Sequence, residues 1–205
     1  PEILSGTVFG PDKKINLRLL ELEAALPLLQ GYCEEIFDCA YPLLNELQIT
    51  ADARNAGMSA DWAMLIGGSP RKDGMTRGGL IQANAPIFAE LGKDLAASVN
   101  PDCRFIVVAN PCNTNCRILA DAMSKFPRTH FFAMMQLDAN RAKAILSKHL
   151  GVAPHDITRL AVWGNHSSSQ FPDAENSLVK GIPALEYSPN SAEYFRTEFP
   201  RTVSM

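Results

Sequence analysis

No stretch of this 205-residue chain carries the eighteen or so consecutive apolar residues that a membrane-spanning helix needs, so no membrane span is expected. Positive charge is not in excess. Nineteen Lys and Arg stand against 22 Asp and Glu, a formal net charge of -3, which leaves no basic footprint and argues against a nucleic-acid partner. The cysteines Cys33, Cys39, Cys103, Cys112 and Cys116 are odd in number and scattered through apolar or helical contexts. They make no disulfide framework and read as reduced thiols in a reducing compartment, the cytoplasm. Cys112 and Cys116 are four apart, but no second Cys/His pair completes a zinc set, so no metal is expected. The chain shows no internal repeat, low-complexity tract or heptad, and no Gly-x-Gly-x-x-Gly turn. It starts at Pro1 without a signal-like segment and ends without a targeting tripeptide, and is expected to be part of a longer sequence.

What is present is the composition of an ordinary globular protein, 46% hydrophobic and 20% charged. Its length suits one large domain or one and a half smaller ones. Ile15 to Leu20 reads as a strand, and Ala24 to Leu47 as a helical region with Leu28, Leu29, Tyr32, Ile36 and Phe37 on one face. Pro42 should bend or end that helix. A short strand is expected near Ile49–Asp52. The continuous apolar run Trp62 to Ile66, stopped by Gly67-Gly68, suits a strand buried on both faces. A polar, glycine-rich loop, 69–79, then leads into a helix from Leu80 to Ser98, with Ile81, Ala85, Ile87, Phe88 and Leu91 as its expected core face. Cys103 to Ala109 reads as a strand and Cys116 to Lys125 as a helix, capped by Thr114 or Asn115. Phe131 to Met135 is the next strand. Asp138 is placed to cap a helix from Asn140 to Leu150, which Gly151 closes. Ile157 to Trp163 is a last strand before a Pro- and Asn-bearing tail with little pattern. Strands alternating with helices predict an α/β fold with a mostly parallel sheet.

In such sheets ligands bind beyond the carboxyl ends of the strands. Glu21, Gly67, Asn110, Asp138 and His166 all stand at strand ends. His166 titrates nearest neutral pH and is the candidate acid/base group. A carboxylate on one ring nitrogen would fix its tautomer, and Asp138 is the candidate for that. Taken alone, His166 is equally a satisfied polar residue and Asp138 a plain helix cap. Arg141 lies one helical turn beyond Asp138, on the same side, and a guanidinium fork binds a carboxylate through two parallel hydrogen bonds. Arg71 and Arg77 sit on the loop, where a second carboxylate could be gripped on closure. Three arginines around one Asp–His pair suit a dianionic substrate, because a monoanion would leave a desolvated cation without a partner. Glu21 ends the strand at which dinucleotide-binding sheets place the acid for the ribose hydroxyls, favouring NAD over its phosphorylated form.

The runs Gly67-Gly68-Ser69-Pro70-Arg71-Lys72-Asp73-Gly74-Met75-Thr76-Arg77, Ala109-Asn110-Pro111-Cys112-Asn113-Thr114-Asn115-Cys116, Leu137-Asp138-Ala139-Asn140-Arg141-Ala142-Lys143 and Trp163-Gly164-Asn165-His166-Ser167-Ser168 carry a resemblance. Together they resemble NAD-dependent malate dehydrogenases of the cytosolic type. The resemblance implies a Rossmann-type doubly wound parallel sheet over 1–134, followed by the start of an α+β substrate domain over 135–205. It implies His166 as proton donor and acceptor with Asp138 as its partner. Arg141 would hold the carboxylate next to the reacting carbon, Arg71 and Arg77 the far one. Asn110 would contact substrate and cofactor, with Glu21, Gly67, Asn84 and Val108 on the NAD side. The implied reaction is oxidation of malate to oxaloacetate: the hydroxyl proton passes to His166 and the hydride to the nicotinamide. A homodimer in the tricarboxylic acid cycle is implied as well.

The chain also departs from the pattern. The family's first strand and its glycine-rich turn would precede Pro1, and without that strand its neighbours lose their hydrogen-bond ladder. The last third of the family's length is not in this sequence. Glu21 stands where Asp is usual, Gln136 where a basic residue is common, Ala139 where His is common, and Leu91 where Gln is usual. Two other readings remain: a non-catalytic relative serving as a structural or interaction subunit, and a related 2-hydroxy-acid dehydrogenase such as lactate dehydrogenase. Arg71 argues against the second, since lactate has no second carboxylate.

Overall fold

The computed structural model describes residues 1–164 and 169–204, and the backbone alone of Arg77. Strand β1 (Ile15–Leu20) pairs in parallel with β2 (Leu44–Thr50), running from Ile15 opposite Leu44 to Leu20 opposite Thr50. A second sheet has the order β3-β4-β5, with β3 at Trp62–Leu65, β4 at Arg104–Val107 and β5 at Phe131–Ala133. The bonds from Arg104 N–H to the Asp61 carbonyl and from Val108 N–H to the Leu65 carbonyl advance together along both strands, as parallel pairing requires. Helices α1 (Leu26–Asp38), α2 (Ala53–Gly57), α3 (Arg77–Ala96) and α4 (Cys112–Ala122) alternate with these strands, giving the expected α/β class with parallel sheets. β1 and β3 belong to different sheets and are not bonded to each other.

Beyond α5 (Gln136–Leu150) the pairing is antiparallel. β6 (Ile157–Thr158) and β10 (Ile182–Pro183) flank β9 (Leu178–Val179), while β7 (Ala161–Trp163) pairs with β8 (Phe171–Asp173). Three short helices, α6 (Ala184–Tyr187), α7 (Ala192–Arg196) and α8 (Glu198–Ser204), complete the described chain.

Two compact units emerge, interleaved along the sequence. One comprises Pro1–Met64, Ala85–Phe105 and Ile118–Phe131; the other comprises Leu65–Asn84, Ile106–Arg117 and Phe132–Met205. In the first, Phe105 stacks on Phe131 at 4.9 Å and meets Phe126 edge-on at 5.7 Å. There α3 and α4 touch closely: a Cβ at Gly92 would stand 2.9 Å from the Ala122 Cβ and 3.3 Å from Leu119. The second unit has its own core, where Leu146 and Ala142 of α5 pack with Ile157, Val179, Phe195, Phe199 and Val203.

Several sequence-based expectations are corrected. The helix expected to Leu47 ends at Asp38, and Leu44–Thr50 is strand. Ala40 takes a left-handed φ of 47°, and Pro42 disfavours a helical residue before it, so the chain leaves the helix there and pairs with β1. The apolar face assigned to α1 is largely uncovered: Leu28, Tyr32 and Phe37 are exposed, and Cys33 is its buried residue. β3 is not buried on both faces, for Trp62 and Met64 are exposed; it lies at the edge of its sheet. On α3 the buried side chains are Leu80, Asn84, Phe88 and Leu95, while Ile87 points to solvent. The strand foreseen from Ile157 to Trp163 is two strands, divided where Arg159 takes a φ of 58°. α4 starts at Cys112, directly after Pro111, so Asn115 is a buried first-turn residue and no cap. No helix among the described residues is long and apolar enough to cross a membrane.

Candidate active site

The ends of β3, β4 and β5 feed three segments of the second unit: the loop from Gly67, the turn at Val108–Pro111, and the first turn of α5. Met134 N–H donates to the Val107 carbonyl at 2.9 Å and carries the β5–β4 pairing past the end of β5. The chain then enters α5 at Gln136, so Asp138 falls in the first turn and its own N–H reaches the Met135 carbonyl at 3.2 Å. Asp138 is therefore no N-cap. It is 2% exposed, and a carboxylate is almost never buried without a partner. Arg141, one turn on, brings Nη1 to 3.6 Å from Asp138 Oδ1, so the pair predicted to share a helix side does.

A cavity of about 160 Å³ opens beside these groups, walled by Val108, Asn110, Cys112, Met134, Met135, Leu137 and Asp138. The volume suits a small acid or one ring of a dinucleotide, not a whole dinucleotide. Sequence reasoning placed Val108, Asn110 and Asp138 here and missed Cys112 and the Met134-Met135 pair. Cys112 Sγ lies 3.3 Å from Met135 Sδ and 3.7 Å from the Met134 carbonyl. Burial pushes the Cys112 thiol up, and the charge of Asp138 adds to the rise. It therefore stays a neutral, soft lining group.

Asn84 and Asn115 frame the same turn from behind. Asn115 Nδ2 donates to the Ala109 carbonyl at 2.9 Å. Asn84, fully buried, bonds both the N–H and the carbonyl of Ser69 at 2.7 and 3.1 Å. A spacing pattern alone does not separate such an Asn from a surface one, which is why its inward aim was not read.

Arg71 is not among the residues that line this cavity. Arg71 is exposed and donates from Nε to the Met75 carbonyl at 3.2 Å, so it folds back on its own loop. The Arg77 side chain and His166 lie outside the described residues. Glu21 belongs to the other unit. Its N–H continues the β1–β2 ladder to the Thr50 carbonyl, and its carboxylate accepts from the Leu22 N–H at 2.5 Å. Among the described residues no group of His, Cys, Asp and Glu converges as a metal site.

Residues 5–133 match the model of the lactate/malate dehydrogenase NAD binding domain, and residues 135–200 that of the lactate/malate dehydrogenase alpha/beta C-terminal domain. The chain belongs to the lactate/malate dehydrogenase family. It is 43% identical over 197 residues to a malate dehydrogenase of Rubrobacter xylanophilus, covering 96% of this chain and 60% of that protein. It is similar to the crystal structure of malate dehydrogenase from Naegleria fowleri, with a TM-score of 0.90 and 36% identity over 99% of this chain and 62% of that one. It is similar also to Trichomonas vaginalis lactate dehydrogenase in complex with NADH and oxamate, with a TM-score of 0.89 and 30% identity over 98% of this chain and 61% of that one. The chain thus spans about 60% of the length of the curated relative it matches.

The residues present leave room for one ring of the family's dinucleotide. Gly67 has open space where a Cβ would stand, with nothing within 4 Å, so the backbone there can be approached closely. The Val108 and Asn110 wall offers one apolar and one polar surface to a flat ring.

Proposed function

We propose that the whole protein to which this chain belongs is an NAD-dependent malate dehydrogenase. The observation that carries the reading is the buried Asp138, paired with Arg141, on the wall of a cavity shared with Asn110. NAD, when bound, takes up or returns the hydride at the substrate carbon. His166 accepts the hydroxyl proton of malate and returns it in the reverse direction, and Asp138 favours its charged form. Arg141 holds the near carboxylate, and Arg71 and Arg77 close on the far one. Arg71 donates from Nε to the Met75 carbonyl of its own loop. Asn110 orients substrate and nicotinamide, with Gly67 and Val108 on the cofactor side, and Glu21 takes the adenosine ribose hydroxyls. The reading carries with it a homodimer of the cytoplasm working in the tricarboxylic acid cycle. The five free cysteines suit a reducing compartment.

Both malate and lactate dehydrogenases stand among the similar structures, and the second cation decides between them. The complete protein is expected to reduce oxaloacetate with NADH at a kcat/KM about a hundredfold or more above that for pyruvate, since pyruvate leaves Arg71 unpaired. Arg71→Gln should remove most of that preference. Equal rates on the two acids would end the dicarboxylate reading, and no NADH oxidation with either would favour a non-catalytic subunit.

A further inference from the structure

Two sulfur atoms meet on the wall of the cavity beside Asp138. Cys112 opens α4 directly after Pro111, and Met135 stands one residue before α5. The turn after β4 and the turn after β5 therefore deliver them to one place. Cys112 Sγ lies 3.3 Å from Met135 Sδ, and both residues line the cavity. The reaction proposed above uses neither sulfur.

The pair has the chemistry of a soft-metal ligand set. A thiolate and a thioether select Cu(I) over hard and borderline cations. A structural zinc ion takes four ligands, and among the described residues no three of His, Cys, Asp and Glu converge. Cu(I) needs only two sulfurs. Burial and the charge of Asp138 keep the Cys112 thiol protonated, and that same negative charge favours a cation at the sulfur. Cys112 is 2% exposed, so approach is through the cavity of about 160 Å³ that it lines. Methionine is unbranched and turns about three bonds, so its sulfur can swing back and admit an ion between the two.

We propose that Cys112 and Met135 form a binding site for one soft monovalent cation, Cu(I), in the cavity wall. Cu(I) displaces the thiol proton: the S–H bond breaks, an S–Cu bond forms, the proton leaves to water, and no electron is transferred. The Met135 thioether gives the second bond from a lone pair. An ion held there stands beside Asp138 and takes space from whatever enters the cavity, so turnover falls as the site fills. Binding depends on the two sulfurs alone; the loss of turnover rests on the malate reading above.

The complete protein, reduced and free of oxygen, is titrated with Cu(I) against a chromophoric Cu(I) chelator of known affinity. One tight equivalent is expected, weakened about a hundredfold or more by Cys112→Ser and about tenfold by Met135→Leu. Leucine keeps the volume and cannot ligate, which separates a bond from packing. Each variant is compared with wild type, so that any other sulfur counts equally in both. Cys39 is exposed, and Cys39→Ser should leave the tight equivalent in place. Affinity unchanged in Cys112→Ser, or lost in Cys39→Ser, would put the copper elsewhere and overturn the proposal. Affinity unchanged in Met135→Leu would overturn the pair, since the thiol then binds alone.

Oxaloacetate reduction by wild type should fall in step with copper occupancy. Full turnover with the site filled would overturn its placement in the substrate cavity. A protein inactive on oxaloacetate without copper would remove the malate reading, while the titration would still decide the metal site. Should the variants not fold, copper-loaded crystals of the wild-type protein decide the matter. Anomalous scattering at the copper edge should peak between the Cys112 and Met135 sulfurs, and a peak elsewhere overturns the site.

Discussion

Helices α1 and α5 are 13 and 15 residues long, and they invert the usual rule of burial. α1 carries Leu28, Tyr32 and Phe37 into solvent. α5 takes a carboxylate, Asp138, and a hydroxyl, Ser147, out of it, in line with Ala142 and Leu146. Apolar periodicity states which face a helix can bury; whether it does depends on what lies across from it. α5 is enclosed by β6, β9 and the short helices that follow, and once enclosed it must compensate its polar groups. Ser147 does so through the Ala144 carbonyl at 2.9 Å, and Asp138 has the Arg141 guanidinium 3.6 Å away as its counter-charge. A buried charge that costs stability and is nonetheless present points to function more strongly than an exposed apolar stripe does.

The contrast can be broken at both ends. The largest effect is expected at Asp138. Asp138→Asn in the complete protein should lower oxaloacetate turnover by about 10²- to 10⁴-fold, because the proposed function makes Asp138 the partner of the acid/base imidazole and the amide keeps only its shape. Steady-state kinetics that show less than a tenfold loss would return Asp138 to a structural role. Next come paired truncations, followed by urea unfolding. Leu146→Ala removes a fully buried side chain and should cost about 2–5 kcal/mol. Leu28→Ala removes an exposed one and should stay within about 0.5 kcal/mol. Equal costs would mean that α1 is covered in solution, and the contrast would vanish.

The smallest effect concerns the thiols. Cys39 is exposed and Cys33, Cys103, Cys112 and Cys116 are buried. Iodoacetamide mapped by mass spectrometry at pH 8 should label Cys39 first among these five. Burial pushes the Cys103 thiol from an ordinary 9.0 up to about 12. A folded pKa above the unfolded one means that this thiol's contribution to stability is complete below pH 9.0 and is lost as pH rises toward about 12. Early labelling of Cys103 at pH 8 would contradict that burial.

The sequence made the site legible wherever its residues follow a strand. Gly67, Asn110 and Asp138 were read as strand-end groups from the apolar runs before them, because a parallel sheet delivers its loops to one edge. Asn84 was legible only as a family position, since nothing in its neighbours marks a helix-interior amide as turned inward. The stretch Leu44 to Leu47 was misread because a leucine pair and a third leucine three residues on fit a helical face as well as a strand, and the parallel pairing with β1 decided. The division at Arg159 was hidden for a similar reason: one left-handed residue in an apolar run leaves no mark on hydropathy.

The contact at Gly92 carries one more consequence. With only a hydrogen at 92 and a methyl at 122, two helices nest with no room for another carbon. Any larger residue at 92 would act as a wedge, tilting one helix off the other. Tolerance to change is therefore narrowest at a position that offers chemistry nothing at all, and a survey of variants should find more silence there than among the charges.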